Sequence, residues 1–87
     1  MNHATEQVTE QVTEQVSRLL VVLSGEELGT KELLERLQLK HRPTFVYDYL
    51  QPALAAGVIE MTQPEFPRSP IQKYRLTRLG VVLVVGQ

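Results

Sequence analysis

The chain predicts an α+β domain of three helices followed by a two-stranded β-hairpin, and three observations predict it. Residues 5–16 read TEQVTEQVTEQV, an apolar residue every fourth position, which suits a helix. Pro43 and Gly57 bracket a further helical stretch at the positions where a helix takes its proline and its glycine. Two short alternating runs, 58–62 and 72–76, flank a proline-rich loop.

On a helix each residue advances about 100°, so a four-residue word drifts by about 40° per copy. With Val8 at zero, Val12, Val16, Leu19, Leu20 and Leu23 fall within about 120°, the width of a buried stripe. Glu6, Glu10 and Glu14 fall opposite. A strand would put Val and Glu on one face and leave no apolar side to bury. Glu14 and Arg18 stand i,i+4 in the favourable order. Two readings of the early copies stay open. Either residues 13–23 form the first core helix and the earlier copies fray, or Val8 and Val12 pack on a partner protomer or a preceding domain.

Residues 24–29 read as a polar turn, after which Thr30 is placed as the N-cap of a short second helix. Lys31 with Glu35 and Glu32 with Arg36 then form solvated pairs on its wet side. Pro43 opens the third helix and Gly57 closes it, while Pro52 inside it removes a backbone donor and predicts a bend near Tyr49. Ile59 and Met61 face one way on the first strand, Tyr74 and Leu76 inward on the second, with Lys73 and Arg75 outward. Pro64, Pro67 and Pro70 stiffen the loop between them, and Glu60 is placed to pair across the hairpin. Residues 81–85 are uniformly apolar, and a short last helix and a short strand both fit them. The expected organisation is therefore a helical repeat extension at 1–12, a domain at 13–80 and an apolar tail at 81–87.

Composition narrows the function. Eighty-seven residues, 43% hydrophobic and 22% charged, suit one small globular domain with a modest core. Without cysteine there is no disulfide framework and no thiolate metal site. His3 and His41, the two histidines, have no acidic partners at ligand spacing, so neither a metal nor a cofactor is expected. No apolar run approaches the ~20 residues of a membrane span, and the acidic N-terminus is unlike a signal peptide, so the expectation is cytoplasmic. Residues 1–28 carry five acids against Arg18 alone, whereas residues 29–80 carry eight Lys or Arg against five acids. Affinity for a polyanion belongs to the second part.

Three helices and then a hairpin is the order of a winged helix-turn-helix. The stretch 49–62 (YLQPALAAGVIEMT), then Pro64, then 72–77 (QKYRLT), resembles the C-terminal winged-helix domain of bacterial Fic (filamentation induced by cAMP) proteins; a similar domain ends some ATP-binding transcriptional regulators. TEQV-type repeats are similar to what precedes that domain, and the resemblance covers about residues 5–80. Gln38 departs from it, since the family often has Gly at this turn position. The Fic catalytic loop, His-Pro-Phe followed by a Gly-Asn-rich anion-binding turn, has no counterpart in the chain. The resemblance thus implies a non-enzymatic part of a longer protein, in which any nucleotidyl transfer lies elsewhere. A chain opening inside a repeat agrees with a fragment or remnant of such a protein.

Double-stranded DNA is the first expected partner. With Phe45, Val46, Tyr49, Leu50 and Ala53 inward, the third helix presents Thr44, Tyr47, Asp48 and Gln51; Tyr47 and Gln51 suit base edges and Thr44 a phosphate or thymine methyl. Asp48 repels the backbone unless it accepts from a cytosine amino group. Lys40, His41 and Arg42 flank the helix start, and Arg68, Lys73 and Arg75 in the wing suit phosphates. The alternative is a docking or dimerising module without DNA binding, using Val8, Val12, Val16, Val82 and Val85.

Overall fold

The computed structural model describes residues 13–85. Four helices and a β-hairpin follow in the order α1 (Glu14–Leu23), α2 (Thr30–Arg36), α3, β1 (Ile59–Met61), β2 (Tyr74–Leu76) and α4 (Arg78–Val85). Helix α3 runs without interruption through an α-helical start (Arg42–Thr44), a π-helical middle (Phe45–Leu50) and an α-helical end (Gln51–Ala55). This is a winged helix-turn-helix with an added C-terminal helix.

Helix α1 begins where its cap dictates. Thr13 is extended, at φ −72° and ψ 168°, and its hydroxyl accepts from the Val16 N–H at 3.1 Å. Val8 and Val12 lie outside the described residues. From Val16 onward the apolar stripe is realised: Val16, Leu19, Leu20 and Leu23 are all buried. Val16, expected on an interface with a partner, is fully buried in the domain's own core and has no surface to offer. Arg18 donates to the Tyr49 hydroxyl at 3.4 Å instead of pairing with Glu14, because α1 packs against α3.

The second helix starts one residue earlier than its cap was expected. Gly29 is the N-cap, and the Glu32 carboxylate reaches back to accept from the Gly29 N–H at 3.2 Å. Glu32 is therefore not paired with Arg36, which meets Glu26 at 2.6 Å. The helix ends with Gln38 at φ +58°. Leu39 N–H donates to Leu34 C=O and Gln38 N–H to Glu35 C=O, the paired bonds of a left-handed helix stop.

The bend expected near Tyr49 takes the form of the π-helical turn. Pro52 has no N–H, and its ring crowds the carbonyl of Asp48; a wider turn just upstream relieves both, with the Gln51 N–H donating to Val46 C=O five residues back. Gly57, at φ +73°, closes the helix with two bonds, Val58 N–H to Ala53 C=O and Gly57 N–H to Leu54 C=O.

In the hairpin Ile59 pairs with Leu76, Glu60 with Arg75 and Met61 with Tyr74, antiparallel. The turn after α1 contributes a third edge that its polar sequence did not announce: Leu28 and Tyr74 exchange both backbone bonds, at 3.1 and 2.8 Å. The apolar tail resolves as α4, which starts at Arg78 and so runs across the boundary expected at 80/81. Thr77 caps it, accepting from Gly80 N–H and donating to Gly57 C=O at 2.6 Å. Gly80 is buried against Val58, the residue just before β1, so closely that a Cβ there would overlap the Val58 carbonyl oxygen. The core thus lies between α1, α2, α3 and the hairpin, with Phe45, Leu33 and Val58 wholly enclosed.

Candidate nucleic-acid interface

Helix α3 buries Phe45, Tyr49, Leu50 and Ala53, with Phe45 and Tyr49 rings stacked 6.2 Å apart. That leaves Tyr47, Asp48 and Gln51 exposed along the outer face and Thr44 half-buried at its upstream end. The expected outward set is thus realised at Tyr47, Asp48 and Gln51, and only in part at Thr44. Tyr47 is two-thirds exposed. His41 Nδ1 lies 2.8 Å from the Thr44 hydroxyl, which ties the approach to the helix to its first turn. Lys40, His41 and Arg42 are all exposed there.

Beside this face runs an open groove of about 930 Å³. Its walls are the start of α2, the flank of α3 carrying Arg42, Val46 and Leu50, and the wing from Pro67 to Tyr74. Three residues named from the sequence, Arg42, Arg68 and Lys73, converge on it. Lys31 joins them from α2. Lys31 was expected in a solvated pair with Glu35; its place on the groove depends on where the start of α2 meets the wing and α3, which no local pattern reports. Among the described residues Glu32 is the one acid lining the groove, and it faces the Gly29 N–H. Four cations against one occupied carboxylate give the groove an excess of positive charge, and Leu34, Val46 and Leu50 add apolar lining.

The wing keeps its shape through a residue that composition did not single out. Gln72 is buried, and its side chain donates to the carbonyls of Gln63 and Phe66 while accepting from the Gln63 N–H at 2.9 Å. Backbone bonds from Phe66 N–H to Gln63 C=O and from Ser69 N–H to Phe66 C=O fold the loop into successive turns, which leave Arg68 exposed. The available signal was its parity with Tyr74 and Leu76, which puts Gln72 on the inward side of the alternating run.

Arg75 does not join the groove. Its Nε donates to Glu60 at 2.7 Å and its Nη1 to Glu27 at 3.3 Å. Those two bonds, Glu60 first, raise its pKa above the ordinary guanidinium value. Held between two carboxylates, its charge is already matched, so the expected phosphate contact is withdrawn. The cross-hairpin pairing of Glu60 is confirmed by the same contact. Among the described residues no group of three His, Cys, Asp or Glu is placed to hold a metal ion, and His3 lies outside them. Nor is any described helix long and apolar enough to cross a membrane.

The family described as Filamentation induced by cAMP protein Fic-like, C-terminal domain, matches residues 14–77. The chain belongs to the Fic-like C-terminal domain family. Its similarity to a solved structure is of the same kind: the crystal structure of a Fic family protein from Desulfovibrio desulfuricans matches with 46% identity and a TM-score of 0.75. That match covers 87% of this chain and 23% of the other, so the chain spans about a quarter of the Fic family protein. Comparison with the curated proteins gives no match. The part matched is the C-terminal domain of Fic-like proteins, and the fold and family expected from the residues 49–62 and 72–77 both hold.

Proposed function

We propose that this Fic-like C-terminal domain binds double-stranded DNA, as the regulatory module of a larger Fic-like protein or transcriptional regulator. The observation that carries the reading is the convergence of Lys31, Arg42, Arg68 and Lys73 on one groove beside the exposed face of α3. In a winged helix the third helix enters the major groove while the wing and the start of the second helix track phosphates. Here Tyr47 and Gln51 are the base-edge readers, Thr44 a phosphate or thymine-methyl contact, and Lys40 and His41 outer phosphate contacts. The fold alone does not establish the activity; the charge placement is what supports it.

The test is fluorescence anisotropy of a labelled random duplex titrated with the full chain at about 50 and about 200 mM salt. Four neutralised phosphates correspond to a loss of affinity of about a hundredfold between the two. Absence of binding at both concentrations ends this reading. A second reading, docking or dimerisation without DNA, is favoured by one observation: Val82 and Val85 on α4 are exposed.

A further inference from the structure

We propose that Asp48 is a specificity-determining residue: its carboxylate accepts from the amino group of one cytosine in the major groove and so sets the sequence preference of α3. This rests on the DNA-binding reading above and adds to it the base that the face selects. Asp48 is exposed on the outer face of α3, beside Tyr47 and bracketed along the helix by Thr44 and Gln51. Nothing in the described fold accounts for an aspartate there. The helix starts at Arg42, so Asp48 lies past the first turn, where a carboxylate gains from the helix dipole. Aspartate is also a poor helix former in a helix interior. Among the described residues the ion pairs are those of Arg36 with Glu26 and of Arg75 with Glu27 and Glu60, and Asp48 is in none of them. The α3 side chains that do bond are Thr44, to His41, and Tyr49, to Arg18. Asp48 does not line the groove where Lys31, Arg42, Arg68 and Lys73 meet. A local preference broken without a compensating contact inside the fold points to a contact outside it.

The chemistry of a carboxylate selects the base. It is repelled by phosphates, and it accepts hydrogen bonds but donates none. In the major groove the base-edge donors are the amino groups of cytosine and adenine. In an A·T pair that amino group stands between two acceptors, adenine N7 and thymine O4, both of which repel a carboxylate. In a C·G pair the cytosine amino group has an acceptor, guanine O6, on one side only. Cytosine is therefore the better partner for Asp48, and adenine suits the carboxamide of Gln51, which offers a donor and an acceptor together. Attraction to phosphates belongs to the cations of the neighbouring groove. Asp48 works by penalty, subtracting from affinity wherever no cytosine amino group meets it.

The test compares the full chain with its Asp48→Ala and Asp48→Asn variants, by selection from a randomised duplex pool and by anisotropy on a random duplex at about 50 mM salt. The unaltered chain should select sites in which one C·G position is held, and changing that pair should weaken binding about 5- to 150-fold, the range for one mismatched base pair. Asp48→Ala should leave that position free, and Asp48→Asn should move it toward adenine. Both variants should bind the random duplex severalfold more tightly, because a charge repelled by phosphates is gone. Their urea midpoints should equal or exceed that of the unaltered chain. A lowered midpoint gives Asp48 a structural role and overturns the proposal. So do identical selected sites in the unaltered chain and Asp48→Ala, an outcome that leaves DNA binding itself standing. If the unaltered chain binds no duplex, the DNA reading fails and this inference fails with it.

Discussion

The Gln72 carboxamide is bonded to both backbone groups of Gln63: its Oε1 accepts from the N–H at 2.9 Å and its Nε2 donates to the C=O. The side chain stands in for a peptide unit. Regular pairing across the hairpin ends near Thr62, whose N–H donates to Lys73 C=O at 2.9 Å, and Pro64 just beyond has no N–H to continue it. A glutamine amide supplies one donor and one acceptor at that point, so the loop carrying Arg68 stays folded without a ladder.

Replacing Gln72 by Ala should therefore destabilise the domain by about 1–3 kcal/mol, the range for buried polar groups that lose their partner. Urea unfolding measures the loss. Amide exchange at Gln63 that speeds up by more than the global loss seen at the α1 amides would locate it in the wing. If the Gln63 amide exchanges as before, the carboxamide does not hold the loop.

Gln38 occupies a left-handed site that suits glycine, at φ +58°. Its bonds to the helix end are made by the backbone alone, so the side chain contributes nothing to the stop. Gln38→Gly should raise stability by about 0.5–1 kcal/mol, and Gln38→Val should lower it, because a β-branched residue fits this region worst. Thermal melts of the two variants should move in opposite directions.

At Gly80 the opposite logic applies. A methyl group would overlap the Val58 carbonyl oxygen, and that backbone cannot move aside as a flexible side chain would. Gly80→Ala should cost about 1–3 kcal/mol by overpacking and push α4 off β1. The readout is chemical denaturation together with amide shifts of Val58 and Thr77, whose N–H donates to Val58 C=O at 3.0 Å.

The wing and strand arginines should behave differently toward DNA. Arg68→Ala should weaken binding across all sequences and reduce the salt slope by about 1, as expected for one lost phosphate contact. Arg75→Ala should leave slope and affinity nearly unchanged, because Glu60 and Glu27 already engage that guanidinium. Equal losses in the two variants would show that the groove is not the binding surface.

Much of this architecture was legible in local pattern. The stripe from Val16 to Leu23, the Pro43 and Gly57 boundaries, the bend forced by Pro52 and the alternation of 72–76 each depend on a few neighbouring residues, so periodicity and backbone chemistry suffice. The family resemblance of 49–62 and 72–77 belongs with them, since short-range sequence carries it. What tertiary structure alone decided are the pairings between distant residues. Leu28 with Tyr74, Arg75 with Glu27 and Lys31 with the wing arise only when elements far apart in the chain meet. Charge type is written in the sequence, but whether a cation is matched by a carboxylate, as Arg75 is, or aimed with others into one groove, as Lys31, Arg42, Arg68 and Lys73 are, depends on the distances that packing sets.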